Sequence, residues 1–185
     1  AWPLWIVPPP GFGKFELYDP GGRLSDIASR AKGNAPVVIA TARMPDLGEQ
    51  LRAGRRVVWL MDREETFPAP FWRESAYEFG FERFWQELGF AHAWERLLAI
   101  SGDQVVSIPA LRKLLPQEAT LEVLLNRVDV RTYAEAPIAV RARVASGDLI
   151  ATTLRPMGGL GIQPYGVLRN PAGSALLSGL LAQGV

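Results

Sequence analysis

The chain of 185 residues contains no cysteine and a single histidine, His92. Without cysteine there can be no disulfide, thiolate metal site, iron–sulfur cluster or thiol nucleophile. One histidine cannot build a multi-histidine metal site, and a lone histidine is usually a surface or satisfied core residue. We therefore expect no metal ion and no other cofactor.

The chain also lacks an excess of one charge and any long apolar run. Twenty Lys and Arg against 19 Asp and Glu give a formal net charge of +1, which provides no field to gather nucleic acid or an anionic membrane. The longest apolar runs, residues 35–42 and 175–182, are far shorter than the ~20 residues that cross a bilayer. We expect neither nucleic acid nor membrane as a partner.

The first residues, Ala1, Trp2 and Pro3, include neither an initiator Met nor the basic and apolar regions of a signal peptide. We interpret the chain as a piece excised from a longer polypeptide, in which any export signal lies elsewhere. The sequence does not specify the cell compartment, and a cytoplasmic location is only slightly favoured.

About half of the residues, 48%, are apolar, enough for one core and a single domain over residues 1–185. Apolar runs with the composition of buried strands alternate with segments at helical spacing. Such βαβ units require a parallel sheet covered on both faces, so the pattern predicts a doubly wound α/β domain. The predicted strands are residues 4–7, 35–41 and 57–61, and the predicted helices are residues 22–31 and 45–53.

The second half predicts a fourth strand, an antiparallel edge hairpin joined to the last core strand, and a final helix. Residues 120–131 and 138–144 alternate apolar and polar side chains, and a turn at 146–148 precedes the run at 149–154. Asn170 and Pro171 form a good helix start. The remaining predicted elements are a strand at 97–101, a helix at 108–115 and a helix at 172–181.

Aromatic residues are dense between residues 67 and 94, where we expect helical and irregular pieces to alternate. Such density usually indicates core or interface packing, because each aromatic side chain buries a large area. A sugar-stacking surface is the alternative. Its candidate stacking faces are Trp72, Tyr77, Trp85 and Tyr165.

Several stretches resemble the C-terminal segment of bacterial family 2-type β-galactosidase and β-glucuronidase homologues. They are VDVRTY at residues 128–133, ATTLRPMGGLG at 151–161, Gln163-Pro164, RNPAG at 169–173 and PFWRE at 70–74. The resemblance implies a class I glutamine amidotransferase-like domain with a flavodoxin-like, three-layer, mostly parallel fold. It also implies sugar-binding, immunoglobulin-like and TIM-barrel domains upstream, and the glycosidase carboxylates would belong to that barrel.

The chain lacks a recognisable nucleophile. An amidotransferase needs an activated Cys on a strand-to-helix turn, and no serine here stands in a GxSxG context. A glycosidase needs two carboxylates across a sugar pocket, but sequence spacing cannot show which carboxylates converge. We assign no catalytic residue and leave open whether the chain is an enzyme. The carboxylate candidates are Asp62, Glu64, Glu65, Glu74, Glu78, Asp103 and Asp129.

Glycines 158, 159 and 161 follow the last core strand, at the edge where open α/β sheets bind ligands. A phosphate cradle is one interpretation, but no GK[ST] ending follows and Pro156 and Pro164 bracket the segment. We favour a structured loop, residues 155–169, that faces another domain or subunit together with the aromatic segment 67–94. The expected contact residues are Phe71, Trp72, Trp85, Leu160, Ile162, Tyr165 and Val167, with Arg73, Arg155 and Arg169 as polar anchors.

Three functions remain open. The leading hypothesis is a non-catalytic accessory domain of a glycoside hydrolase, which packs against other domains of the parent polypeptide or forms a homo-oligomer. The alternatives are a carbohydrate-binding module with exposed aromatics and an independent hydrolase. The candidate ligand or interface residues are Trp72, Arg73, Glu74, Tyr77, Trp85, Arg155, Gly158, Gly159, Gln163, Tyr165 and Arg169.

Overall fold

The computed structural model describes residues 11–69, 75–80, 82–88, 100–158 and 166–182. In chain order the strands are β1 (Glu16–Tyr18), β2 (Val37–Ala40), β3 (Arg56–Leu60), β4 (Thr66–Pro68), β5 (Ser75–Phe79), β6 (Gln104–Val106), β7 (Thr120–Asp129), β8 (Glu135–Val144) and β9 (Gly147–Thr152). The α-helices are α1 (Leu47–Arg52), α2 (Glu82–Glu87), α3 (Ile108–Leu114) and α4 (Pro171–Ala182), and short 3-10 helices span Ala28–Arg30 and Val167–Arg169.

The main sheet has the strand order β1-β2-β3-β9-β8-β7-β5. The first four of these strands pair in parallel, and β8, β7 and β5 follow in antiparallel pairs. Because β7 is antiparallel to β8, it points in the same direction as the parallel strands, and the sheet is mostly parallel. β4 and β6 form a separate two-stranded antiparallel sheet.

Both faces of the main sheet are buried under other elements. Strand side chains alternate between faces, so Val37 and Ile39 of β2 join one apolar cluster and Val38 and Ala40 join the other. The first cluster includes buried side chains of α2 and α4, and the second includes those of α1 and α3. The chain is therefore a mixed α/β fold with helices on both faces of the sheet, compatible with three layers.

Capping residues explain where two of the helices begin. Ser107 precedes α3, and its hydroxyl accepts a hydrogen bond from the Ala110 amide at 3.4 Å. Asn170 precedes α4, and its side-chain oxygen accepts from the Gly173 amide at 3.2 Å. Each cap supplies a partner for an amide that the first helical turn leaves unpaired. The predicted starts of both helices are confirmed to within a residue or two.

Residues 22–31 do not form the predicted α-helix. The segment consists of turns and one 3-10 helix, Ala28–Arg30, although Leu24 and Ile27 are fully buried. The periodic apolar residues therefore predicted correctly which side chains are buried, but the predicted helix is wrong. Gly22 lies in a turn with φ of 65°, and the amides of Ile27, Ala28 and Arg30 donate to carbonyls three residues back, which is the pattern of turns and 3-10 helices.

Other strand predictions need correction as well. β1 at residues 16–18 was not predicted, while the predicted strand at 4–7 lies outside the described residues. Of the predicted strand at 97–101, Ile100 and Ser101 lie in no strand and the rest is outside the described residues. The aromatic segment contains strands β4 and β5 besides α2. Because β5 pairs with β7, the antiparallel part is larger than the predicted edge hairpin.

No helix in the part of the chain that the structure describes is long and apolar enough to cross a membrane.

Candidate functional site

A cleft opens where the parallel strands β1, β2 and β3 end. The carboxyl ends of parallel strands meet at one edge of the sheet, where open α/β sheets usually bind ligands. The cleft has a volume of about 220 Å³, and we call it the carboxyl-edge cleft. Its lining includes Arg23, Thr41, Trp59, Asp62, Arg63 and Glu64.

Asp19, directly after β1, holds the loop on one side of the carboxyl-edge cleft. Its carboxylate accepts hydrogen bonds from the Arg23 amide at 3.0 Å and the Leu24 amide at 2.7 Å. It also accepts from the Thr41 hydroxyl at 2.5 Å, which ties the loop to the end of β2. The backbone at Gly22 takes the left-handed conformation that this turn needs, which glycine adopts without strain.

The guanidinium of Arg23 is fixed to the ends of two strands. Its Nη1 donates to the Thr41 carbonyl at 3.1 Å and to the Leu60 carbonyl at 3.2 Å. Within the described residues, its Nε and Nη2 groups donate to no acceptor and no carboxylate forms an ion pair with it. A positive charge is thereby held in a defined position beside the cleft.

Another part of the lining of the carboxyl-edge cleft follows β3 and is exposed and charged. Glu64 accepts a hydrogen bond from the Arg43 amide at 3.1 Å, and the Asp62 carboxylate has no partner within the described ranges. Arg63 lies 4.0 Å from Asp103, with 79% of its side chain exposed. The buried indole of Trp59 also lines the cleft.

Two of the seven candidate carboxylates, Asp62 and Glu64, therefore lie together at this cleft. Among the others, Glu65 forms an ion pair with Arg43 at 3.3 Å. Glu78 accepts a hydrogen bond from Asn126 at 3.3 Å. Asp103 lies near Arg63, as described above, and Glu74 is outside the described residues.

The last candidate carboxylate, Asp129, closes the turn between β7 and β8. It accepts hydrogen bonds from the backbone amides of Thr132 and Arg131, at 2.9 and 2.8 Å. Those two amides hold the pKa of Asp129 below its ordinary value. This carboxylate therefore organises a turn.

A second polar cluster contains one of the predicted site residues, Tyr77. Tyr77 lies opposite Arg127 in the β5–β7 pair, and its hydroxyl is hydrogen-bonded to the hydroxyl of Ser101. Arg127 is buried and donates to the Gly102 carbonyl at 3.2 Å. Burial lowers the pKa of Arg127, and the nearby Tyr77 opposes that shift.

Arg155 reaches the same cluster from the segment after β9. Its amide donates to the Ile100 carbonyl at 2.6 Å, and its side chain packs against Gly102. Its Nε is buried with no hydrogen-bond partner in the described part of the chain. Tyr77 and Arg155, far apart in sequence, thus lie on either side of residues 100–102.

Trp85 does not offer a face for sugar stacking. Only 1% of it is exposed, and its indole nitrogen donates to the Leu124 carbonyl at 2.5 Å. Val167 is fully buried as well. Trp85 and Val167 are therefore core residues, and their assignment to a docking surface was wrong because an aromatic or apolar residue looks the same in sequence whether it is covered or not.

The remaining predicted site residues divide between the protein surface, the interior and the part of the chain that is not described. Arg169 is exposed, whereas Gly158 is buried, with φ of 147°. Most of the others lie outside the described residues: Trp72, Arg73, Glu74, Gly159, Gln163 and Tyr165, together with the expected contact residues Phe71, Leu160 and Ile162.

Sequence analysis did not select Arg23, Thr41 or Trp59. One signal was available, because Thr41 and Asp62 are polar residues at the ends of two predicted buried strands. The position of Arg23 was hidden by the wrong helix prediction over residues 22–31.

In the described ranges, no group of three or more His, Asp or Glu could hold a metal ion. Comparison of the chain with protein-family models, with curated proteins and with solved structures found no match.

Proposed function

We propose that the chain is a non-catalytic accessory domain of a family 2-type glycoside hydrolase, with a flavodoxin-like, class I glutamine amidotransferase-like fold. The parallel strands β1, β2, β3 and β9 and the helices on both faces support this fold. The parent protein is proposed from the resemblance of residues 128–133 and 151–161. In that setting the domain contributes packing between domains or subunits.

The observation that best supports a non-catalytic role is the chemistry at the carboxyl-edge cleft. An acyl-transfer enzyme needs a nucleophile beside a base, usually on a sharp turn from strand to helix. Here β3 continues into Met61, Asp62 and Arg63 and then into strand β4. The hydroxyl that lines the cleft, that of Thr41, donates to Asp19, whose two oxygens also accept the loop amides.

Ser107 is the described serine that stands between a strand and a helix, β6 and α3. Its hydroxyl caps α3 by accepting from the Ala110 amide. A capping hydroxyl stabilises the first helical turn and has a structural reason to be at this position. The only histidine, His92, lies outside the described residues.

The turn between β7 and β8 supports a role in packing against another domain. Tyr133 is 80% exposed and Val130 is 49% exposed, and both lie in the VDVRTY stretch that resembles the glycoside hydrolase homologues. The turn is ordered by Asp129, whose carbonyl accepts from the Tyr133 amide at 2.8 Å. Exposed Tyr on an ordered loop is typical of interface centres.

Enzyme assays of the purified chain test the non-catalytic role. We expect turnover of glutamine and of aryl glycosides to equal a buffer blank, because among the described residues that line the cleft the one hydroxyl, that of Thr41, is bound to a carboxylate that also holds two loop amides. Activity that disappears in Asp62→Asn or Glu64→Gln would overturn the proposal. Those two variants change exposed side chains, so loss of folding would not imitate loss of activity.

The accessory role is tested on the full-length protein. We expect the reading frame to encode a TIM barrel upstream of this chain. The double variant Val130→Ser, Tyr133→Ser should lower the melting temperature of the full-length protein and leave that of the isolated chain unchanged. A stand-alone gene for this domain, or equal effects on both proteins, would contradict the proposal.

A further inference from the structure

We propose that the carboxyl-edge cleft binds a small organic carboxylate that also carries hydrogen-bond donors, as a hydroxy acid or an amino acid does. This inference goes beyond the accessory role and does not depend on it. The site would be the same whether the chain is an accessory domain or an independent one. The fixed guanidinium of Arg23 and the carboxylates of Asp62 and Glu64 in the same cleft support the proposal.

Arg23 is prepared for a carboxylate. A guanidinium has five N–H donors in a planar fork that matches two carboxylate oxygens. The Thr41 and Leu60 carbonyls accept from Nη1 and fix the plane of the group. The Nε and Nη2 groups, which donate to no described acceptor, form the edge that binds carboxylates with two parallel hydrogen bonds. Because the group is already held in place, a ligand would lose little affinity to ordering it.

The acidic part of the lining is suited to the donor groups of the same ligand. Asp62 and Glu64 line the cleft as carboxylates, and an ionised carboxylate can only accept hydrogen bonds. A simple anion such as acetate would supply no donor to these two side chains and would be repelled by their charge. A ligand with hydroxyl or ammonium groups away from its carboxylate could bind Arg23 and also donate to Asp62 or Glu64.

The volume of the cleft limits the size of the ligand. At about 220 Å³ it is smaller than the ~300–1,000 Å³ of sites for drug-sized molecules. Two cationic side chains, Arg23 and Arg63, and two anionic ones, Asp62 and Glu64, line it. The balance of charge favours a small ligand that is both acidic and rich in donors over a phosphate ester or a long polyanion.

The first test needs no variant. Small ligands are titrated into the unaltered chain, and backbone amide NMR shifts report the binding. Glucuronate is compared with glucose, which keeps most hydroxyls and lacks the carboxylate, and lactate with propionate, which lacks the hydroxyl. We expect saturable shifts at Gly21, Arg23 and Thr41, with glucuronate binding at least about tenfold more tightly than glucose. Titration with the amino acid alanine distinguishes ammonium from hydroxyl donors. Tighter binding of alanine or of lactate than of propionate supports the proposal.

Two variants locate the site. Arg23→Lys keeps the charge and loses the fork, and should weaken carboxylate binding about tenfold or more. Asp62→Asn removes an exposed carboxylate that attracts donors and repels anions, so it should lower the preference for lactate or alanine over propionate severalfold. Arg52→Lys and Glu118→Gln, an exposed pair on α1 and before β7, are the matched controls and should bind as the unaltered chain does.

Three outcomes would overturn the inference. They are equal binding of glucose and glucuronate, no saturable binding of glucuronate, lactate or alanine, and an unchanged preference for lactate or alanine over propionate in Asp62→Asn with shifts away from Gly21 and Thr41. If Arg23→Lys does not fold, the binding of the ligand pairs to the unaltered chain and to Asp62→Asn still tests the proposal. None of these outcomes bears on the accessory role, which the assays and the full-length variants test.

Discussion

Arg141 and Asp148 form a two-point ion pair between β8 and β9. The Arg141 Nε lies 2.7 Å from Asp148 Oδ1, and its Nη2 lies 3.0 Å from Oδ2. Arg56 of β3 adds a third contact, from Nη2 to Asp148 Oδ2 at 2.8 Å. One buried carboxylate thus joins the parallel and antiparallel parts of the sheet, because β9 is the strand that the two parts share.

We expect Asp148→Ala to destabilise the chain by about 3 kcal/mol, since it leaves two largely buried guanidinium groups without their carboxylate. Urea denaturation gives the free energy of unfolding. The matched control is Glu118→Ala, which removes an exposed pair with Arg52, where both side chains are more than half exposed, and should leave the midpoint nearly unchanged. Equal effects of the two variants would contradict the structural role of Asp148.

The ion pair between Glu16 and Arg55 should make the stability of the fold depend on pH. The hydrogen bond from Arg55 holds the pKa of Glu16 below its ordinary value of 4.5, in spite of desolvation, and Arg55 Nη2 lies 2.7 Å from Glu16 Oε2. Because the folded-state pKa is the lower one, the pair stabilises the fold above the unfolded-state pKa, and this contribution is lost as the pH falls through the folded-state value.

The unaltered chain should therefore lose more stability than Glu16→Gln between about pH 5 and about pH 3. Thermal unfolding at several pH values measures the difference. Glu49→Gln, on the exposed side of α1, is the control and should follow the unaltered chain. Parallel curves for the unaltered chain and Glu16→Gln would show that the pair contributes nothing.

Gly173 is expected to be indispensable for the packing of α4. A Cβ at this position would lie 1.9 Å from the Pro156 carbonyl oxygen, so backbone atoms of the helix or of the segment after β9 would have to move. Gly173→Ala should destabilise by about 2 kcal/mol or more. Gly33→Ala, where a Cβ would meet nothing within 4 Å, is the control, and a normal melting temperature for Gly173→Ala would refute the contact.

Trp85 is predicted to stabilise the core and to take no part in sugar binding. Trp85→Phe should cost about 2 kcal/mol, because it removes packed volume and one of the two hydrogen bonds to the Leu124 carbonyl, which keeps the Gly80 amide as a donor. Denaturation measures the loss, and titration with glucuronate under folding conditions should be unchanged. A variant of full stability that no longer binds sugars would restore the stacking hypothesis.

Much of the architecture could be predicted because its signals are local. The strands at 35–41 and 57–61 and the starts of α3 and α4 are specified by apolar runs and caps within a few positions. The hairpin turn was predicted at 146–148 and lies at residues 145–146, between β8 and β9. The periodicity at Leu24 and Ile27 shows the limit of such signals, because burial at helical spacing does not require a helix. For Trp85, sequence alone could not decide between core and surface.

The residues that line the carboxyl-edge cleft are brought together only by the tertiary structure. Asp62 and Glu64 were visible as carboxylates in the sequence, but their relation to Arg23 and Thr41 arises because β1, β2 and β3 are parallel and end at one edge. Likewise, the pairing of β5 with β7 brings Tyr77 opposite Arg127. A sequence determines its own turns and apolar faces through neighbouring residues, whereas which distant side chains meet depends on strand order and register, and these follow from the free energy of the whole packed chain.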